Sequence, residues 1–171
     1  MTWTVFYFFQ KYDHDGLVRE CHSGYRDRGV GIVQFSTTSD YAIRTVLYLA
    51  LNSGSCATAN EVEKAMGVPS LYLNKVTKKL KQSGILETVR GNGGGYRLIK
   101  DPQQISLYDI LSLTEQSMEI NGCLENESFC SRHAAATCPV RKVYTRINSA
   151  LAAALKETTI FQLMEDAAGD E

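Results

Sequence analysis

Four of the five residues from Gly91 to Gly95 are glycine, and the run sits between two strand-like segments. Ile85-Leu86-Glu87-Thr88-Val89-Arg90 leads in and Tyr96-Arg97-Leu98-Ile99 leads out. A run this rich in glycine has no stable place inside a helix, so the chain reverses there, as a hairpin with a long flexible tip. What precedes the hairpin narrows the fold further. Thr58-Ala59-Asn60-Glu61 has the form of a capping box, opening a short helix that stops at Gly67. Pro69 and Ser70 then open another helix, ended by Gly84. Leu73, Val76 and Leu80 line one of its faces, leaving Asn74, Lys75, Lys78, Lys79 and Lys81 largely outward. Two helices joined by a tight glycine-containing turn make a helix-turn-helix, and a hairpin directly behind them makes a wing.

Helices flank this unit. Upstream, Ser39 is placed to cap a helix whose apolar positions are Ala42, Val46, Leu49 and Ala50. Downstream, Ser106-Leu107-Tyr108-Asp109 starts a helix running to about Gln116. Pro139 suits the first turn of a long helix in which Val140, Val143, Tyr144, Ile147, Ala150, Leu151, Ala154 and Leu155 form an apolar stripe. The stripe is long for a helix on a small domain, which favours a partner helix from a second subunit over packing within one chain. Thr159 to Gln162 caps a short terminal helix. The expected fold class is mainly α: a winged helix-turn-helix with a two-stranded wing and a long C-terminal dimerisation helix. The expected parts are an extension over residues 1–33, a DNA-binding domain over 34–100, a linker helix and cysteine loop over 101–138, and a dimerisation helix and tail over 139–171. Residues 1–33 hold no helical or strand period and read as an extension of marginal structure, with an added hairpin as the alternative.

Net charge is −1, but its distribution is uneven. Residues 34–100 carry nine Lys or Arg against four Asp or Glu, and residues 101–171 carry five against eleven. A basic half beside an acidic half assigns the first to a polyanion. In a helix-turn-helix the second helix enters the major groove. Ser70, Tyr72, Asn74 and Lys75 would then face bases, while Lys78, Lys79 and Lys81 would meet phosphates. The wing offers Arg90, Asn92 and the bare backbone of Gly93 and Gly94, suited to close approach to a duplex. The glycine run is not a phosphate-binding loop of the G-x-x-x-x-G-K-[ST] type, because it lies between strands.

Cys123, Cys130 and Cys138 fall within sixteen residues at C-x6-C-x7-C spacing. Thiolates are soft ligands that suit zinc and iron–sulfur clusters, and zinc fingers usually use tighter pairs. No C-x-x-C pair and no base beside a nucleophile are apparent, which weighs against a redox enzyme. No secretory leader pattern is visible, and the apolar run Val5 to Phe9 is too short to span a bilayer. The expected setting is the cytoplasm, without a membrane partner.

Thr38-Ser39-Asp40-Tyr41-Ala42-Ile43-Arg44, Tyr72-Leu73-Asn74-Lys75, Val89-Arg90-Gly91-Asn92-Gly93-Gly94-Gly95-Tyr96 and the three cysteines together resemble the IscR/NsrR family of bacterial winged-helix regulators. The resemblance covers roughly residues 34–165, so residues 1–33 fall outside it and read as translated upstream sequence. It implies a homodimer on near-palindromic double-stranded promoter DNA, a long helix crossing to the partner, and in some members an iron–sulfur cluster, 2Fe–2S or 4Fe–4S. Asp40 stands where NsrR-like members place a carboxylate ligand from the other subunit. IscR-like members use a histidine just after the third cysteine, where this chain has Arg141; His133 within the loop is the remaining candidate. The resulting expectation is a transcriptional regulator, commonly a repressor in such families, whose cluster answers to nitric oxide, redox or iron status. The alternative is a cluster-free regulator sensing oxidants or a thiol metabolite through its cysteines.

Overall fold

The computed structural model describes residues 34–91 and 93–169; the expectations placed on residues 1–33 and on Asn92 lie outside the described residues. Seven helices and a two-stranded antiparallel sheet follow one another in those residues. Helix α1 (Thr37–Leu51) is capped by Ser36, whose side chain accepts from the Ser39 amide. The cap thus lies three residues ahead of Ser39, the residue the sequence pointed to. Ser36-Thr37-Thr38-Ser39 offers a hydroxyl at every position, so local chemistry does not select among them. Ala42, Val46, Leu49 and Ala50 are buried as the apolar period predicts.

Helix α2 (Ala59–Met66) begins at the capping box of Thr58 and Glu61 and ends at Gly67, whose φ of 64° is left-handed. Helix α3 (Ser70–Gln82) follows after one buried residue, Val68, and the helix-starting Pro69. Its Leu73, Val76 and Leu80 are fully buried, each worth about 2–3 kcal/mol of transfer from water. Gly84 closes it: the Gly84 amide reaches the Lys81 carbonyl and the Ile85 amide reaches the Leu80 carbonyl at 3.0 Å. That six-to-one closure brings apolar Ile85 back onto Leu80 and turns the chain into the wing.

Strands β1 (Leu86–Val89) and β2 (Gly95–Leu98) pair with Leu86 opposite Leu98 and Val89 opposite Gly95. A third segment joins them. Ala57, just ahead of α2, exchanges two backbone hydrogen bonds with Tyr96, at 2.9 and 2.8 Å. The wing is thereby tied to the start of the helix-turn-helix.

Helix α4 (Leu107–Thr114) opens at the Ser106–Asp109 capping box and stops two residues before Gln116. Short helix α5 (Gly122–Glu125) and two 3₁₀ turns carry the chain to α6 (Pro139–Glu157), and α7 (Ile160–Gly169) follows, with Thr159 and Gln162 capping each other's amides. Ile160 of α7 and Ile105 and Ile110 near α4 share the core with α1, α3 and the wing. The apolar stripe of α6 is divided. Leu155 is buried and Tyr144 and Leu151 are half-buried, whereas Val140, Val143 and Ile147 remain 50, 41 and 51% exposed. Ala150 and Ala154 continue that open face.

Candidate nucleic-acid interface and cysteine loop

Helix α3 lies with its buried face on α1 and α4, so its other face is open. Asn74, Lys75, Lys78 and Lys81 are exposed there, as is Arg90 at the end of β1. The flanks of the first turn of α3 are anchored. The Ser70 hydroxyl donates to the Glu63 carboxylate of α2, and the Tyr72 ring meets Tyr41 edge-on at a centroid distance of 5.2 Å. Leu71, between them, is 81% exposed. It was not among the expected contacts, because an apolar residue carries no charge or hydrogen-bond signal.

Lys79 departs from the phosphate-facing expectation. It flanks the buried Val76 and Leu80, and its ammonium donates to the Leu113 carbonyl at the end of α4, at 2.7 Å. The wing glycines divide as well. Gly93, with φ of 77°, faces open space. A Cβ on Gly94 would overlap the Val89 carbonyl oxygen and stand 2.9 Å from that of Gly91, which gives Gly94 a role inside the hairpin itself.

A polar cluster joins α1, α3 and α4. Buried Ser39 shares a 2.6 Å hydrogen bond with Thr114 and donates to the Glu115 carboxylate. The Ser36 amide donates to the same carboxylate at 2.7 Å. Burial alone would raise the pKa of Glu115. The Ser39 and Ser36 hydrogen bonds, helped by the Lys79 charge, outweigh it and hold the carboxyl below its ordinary value. Sequence reading missed this cluster because its α1 and α4 partners lie 75 or more residues apart, and Lys79 lies 34 from the end of α4.

The cysteine loop starts at Glu115, so its first residue belongs to that cluster. Cys123 lies in α5, Cys130 follows a 3₁₀ turn, and Cys138 is the residue from which α6 begins. All three thiols are free and partly exposed. Two side chains of α6, Asn148 and Arg141, hold the loop to it. The Ile120 amide donates to Asn148 Oδ1 at 3.0 Å, and Arg141 donates from Nε to the Cys123 carbonyl while pairing with Glu127 at 3.1 Å. The backbone amides of Ala134 and Arg132, with a smaller share from His133 and the Arg132 charge, hold the Cys130 thiol below its ordinary pKa against the effect of burial. His133 is exposed at a φ of 50°, and Asp40 is paired with Arg44 at 2.8 Å. Among the described residues, no three His, Cys, Asp or Glu side chains are gathered into a group that could hold a metal ion. The donor types nonetheless suit an iron–sulfur cluster: three free thiols on one loop, with a half-exposed carboxylate on α1.

An open basic helix in a helix-turn-helix, backed by a wing strapped to the same core, defines a winged-helix DNA-binding regulator. The family model described as "Rrf2: Iron-dependent Transcriptional regulator" matches residues 35–166, and the chain belongs to that family, whose members are transcriptional regulators rather than enzymes. The HTH-type transcriptional regulator NsrR of Bacillus subtilis is 27% identical over 136 residues, covering 78% of this chain and 92% of that protein. The fold is also that of CymR, the global cysteine regulator of B. subtilis, with a TM-score of 0.65 and 23% identity over 78% of this chain and 98% of that one. IscR of T. potens gives a TM-score of 0.64 and 21% identity, over 78% of this chain and 88% of that one. No helix among the described residues is long and apolar enough to cross a membrane.

Proposed function

We propose that this chain acts as a homodimer that represses promoters in the cytoplasm, and that an iron–sulfur cluster held by Cys123, Cys130 and Cys138 governs its grip on the operator. Asp40 of the second subunit completes the ligand set in this reading, and nitric oxide, redox state or iron supply is the signal. The observation that carries it is where the loop begins. Its first residue, Glu115, sits in the cluster that Lys79 of α3 also reaches, so the loop that carries the three thiols begins against the DNA-facing helix. The open face of α6, from Val140 through Val143 and Ile147 to Ala154, supports the dimer, because water-exposed apolar surface of this kind is stabilised by a partner helix. Ser70, Tyr72, Asn74, Lys75 and Lys78 then face the major groove, with Arg90, Asn92 and Gly93 at the wing contacting the backbone or minor groove. The test is anaerobic purification followed by iron and sulfide analysis, visible absorbance, and gel shifts before and after nitric oxide. Expected are a coloured protein and a loss of operator affinity on exposure, both abolished in Cys130→Ala. Unchanged affinity and response in that variant would count decisively against the reading.

A second reading has one specific observation behind it. The Cys130 sulfur lies among the backbone amides of Arg132, His133 and Ala134, a setting that favours a thiolate as it stands. A cluster-free regulator would use that sulfur directly: attack of the thiolate on hydrogen peroxide breaks the O–O bond, gives the sulfenic acid and releases hydroxide, which takes a proton from solvent to become water. Iron-free protein that loses operator affinity with peroxide, in step with sulfenic acid at Cys130, would establish this reading in place of the first.

A further inference from the structure

The most exposed large apolar side chain among the described residues is Leu71, and it stands in the first turn of α3. Little among the described residues covers it, although its neighbours are tied down: Ser70 by Glu63 and Tyr72 by Tyr41. Those anchors fix the direction in which Leu71 projects. On a helix, Leu71, Asn74, Lys75 and Lys78 share one face at spacings of three, four and seven, and the last three are likewise exposed. An apolar tip thus heads a basic and polar stripe. A leucine neither donates nor accepts hydrogen bonds, so it cannot read the donor and acceptor pattern of a base edge. The one apolar group that the major groove displays is the 5-methyl of thymine.

We propose that Leu71 is a specificity-determining residue that packs on a thymine 5-methyl in each operator half-site, beside the base pairs that Asn74 and Lys75 face. The inference rests on α3 being the groove-reading helix. It adds what the lysines cannot supply, since charge alone attracts any duplex. Asn74, one turn further on, is suited to an adenine edge. Leu71 therefore makes a thymine a fixed feature of the half-site next to whatever Asn74 and Lys75 select.

The test uses the full chain and a duplex recovered from a random 30-base-pair library by repeated selection. Each thymine of that duplex is then replaced singly by deoxyuridine, which removes one methyl and leaves base pairing intact. Expected is one position per half-site where the replacement weakens binding about fourfold, as burial of one methyl group predicts. Changing both half-sites together should cost about fifteenfold. Leu71→Ala should bind the original duplex more weakly by a similar factor and be indifferent to deoxyuridine at those positions. It should melt close to the parent temperature, because a side chain that is 81% exposed is removed. An enriched, salt-sensitive duplex with no deoxyuridine effect, or a Leu71→Ala protein that keeps the parent's sensitivity, overturns the proposal while leaving DNA reading by α3 intact. Failure to enrich any duplex overturns both.

Discussion

The strap between the wing and the segment ahead of α2 makes Gly95 the most constrained position in the glycine run. An ideal Cβ there would overlap the Ala57 carbonyl oxygen, lie 2.7 Å from its carbonyl carbon and 3.1 Å from the Thr58 nitrogen. All three are backbone atoms, so no side-chain rotation relieves the overlap. Gly95→Ala must push β2 and Ala57 apart. That motion breaks the two Ala57–Tyr96 hydrogen bonds, each worth about 1 kcal/mol net, and loosens a buried alanine. The sum is about 2–4 kcal/mol, which for a chain of this size lowers the melting temperature by about 4–15 °C. Gly93→Ala is the matched control. It meets open space, and its only penalty is a left-handed φ of 77°, about 1 kcal/mol. Calorimetry of both variants, with amide exchange at Tyr96 and Ala57, reads the difference. Equal small shifts for the two variants, with exchange protection retained in Gly95→Ala, would refute the close-approach argument.

Three further outcomes follow from other contacts. The Glu115 carboxyl is held below its ordinary value of 4.5, so its ionised form stabilises the fold above that pH; the contribution is lost as pH falls through the lower folded value. Urea titrations from pH 7 to pH 3 should show this loss in the parent chain and a flatter profile in Glu115→Gln, and parallel profiles would count against the cluster. Lys78→Ala should reduce the slope of log affinity against log salt by about one, whereas Lys79→Ala should leave the slope alone and cost about 1 kcal/mol of stability; equal slopes changes for both would remove the distinction between them. On the proposed dimer, Ile147→Glu places a charge on the open face of α6 and should yield a folded monomer in sedimentation; an unchanged dimer, or a parent that is itself monomeric, is the refuting result.

Much of the helix-turn-helix was legible because its signals are local. The Thr58–Glu61 and Ser106–Asp109 boxes, Gly67, Gly84 and Pro139 each act within four residues of where they stand, and each marks an element boundary in the structure. The cap of α1 was misplaced because four consecutive hydroxyl residues compete for it. Ser39, freed from capping, is buried against Thr114. Contacts between distant segments were not legible: the backbone bridge at Ala57, and the Ser36, Ser39, Glu115 and Lys79 cluster, depend on tertiary packing that no short pattern encodes. Lys79 shows the limit of charge reading. Within the run Lys75, Lys78, Lys79 and Lys81 the residues look alike in sequence, yet its place beside Val76 and Leu80 brings only Lys79 within reach of the end of α4.

Helix α6 makes the same point in the opposite direction. Its eight apolar positions fall within one arc of about 140° at 100° per residue, yet the structure divides that stripe along its length. The structure buries Leu155 and half-buries Tyr144 and Leu151 along one edge of the stripe, and leaves Val140, Val143 and Ile147 outward. Cys138 begins this helix, and Arg141 in its first turn holds the Cys123 carbonyl. At its other end the loop begins at Glu115, beside Lys79. On the proposed reading, a change of ligation in the loop therefore acts on two things at once, the open face of α6 and the seat of α3. A signal can shift operator affinity only by the difference in free energy it makes between two such arrangements. The loop's contacts at Glu115 and Arg141 are where that difference has to be written.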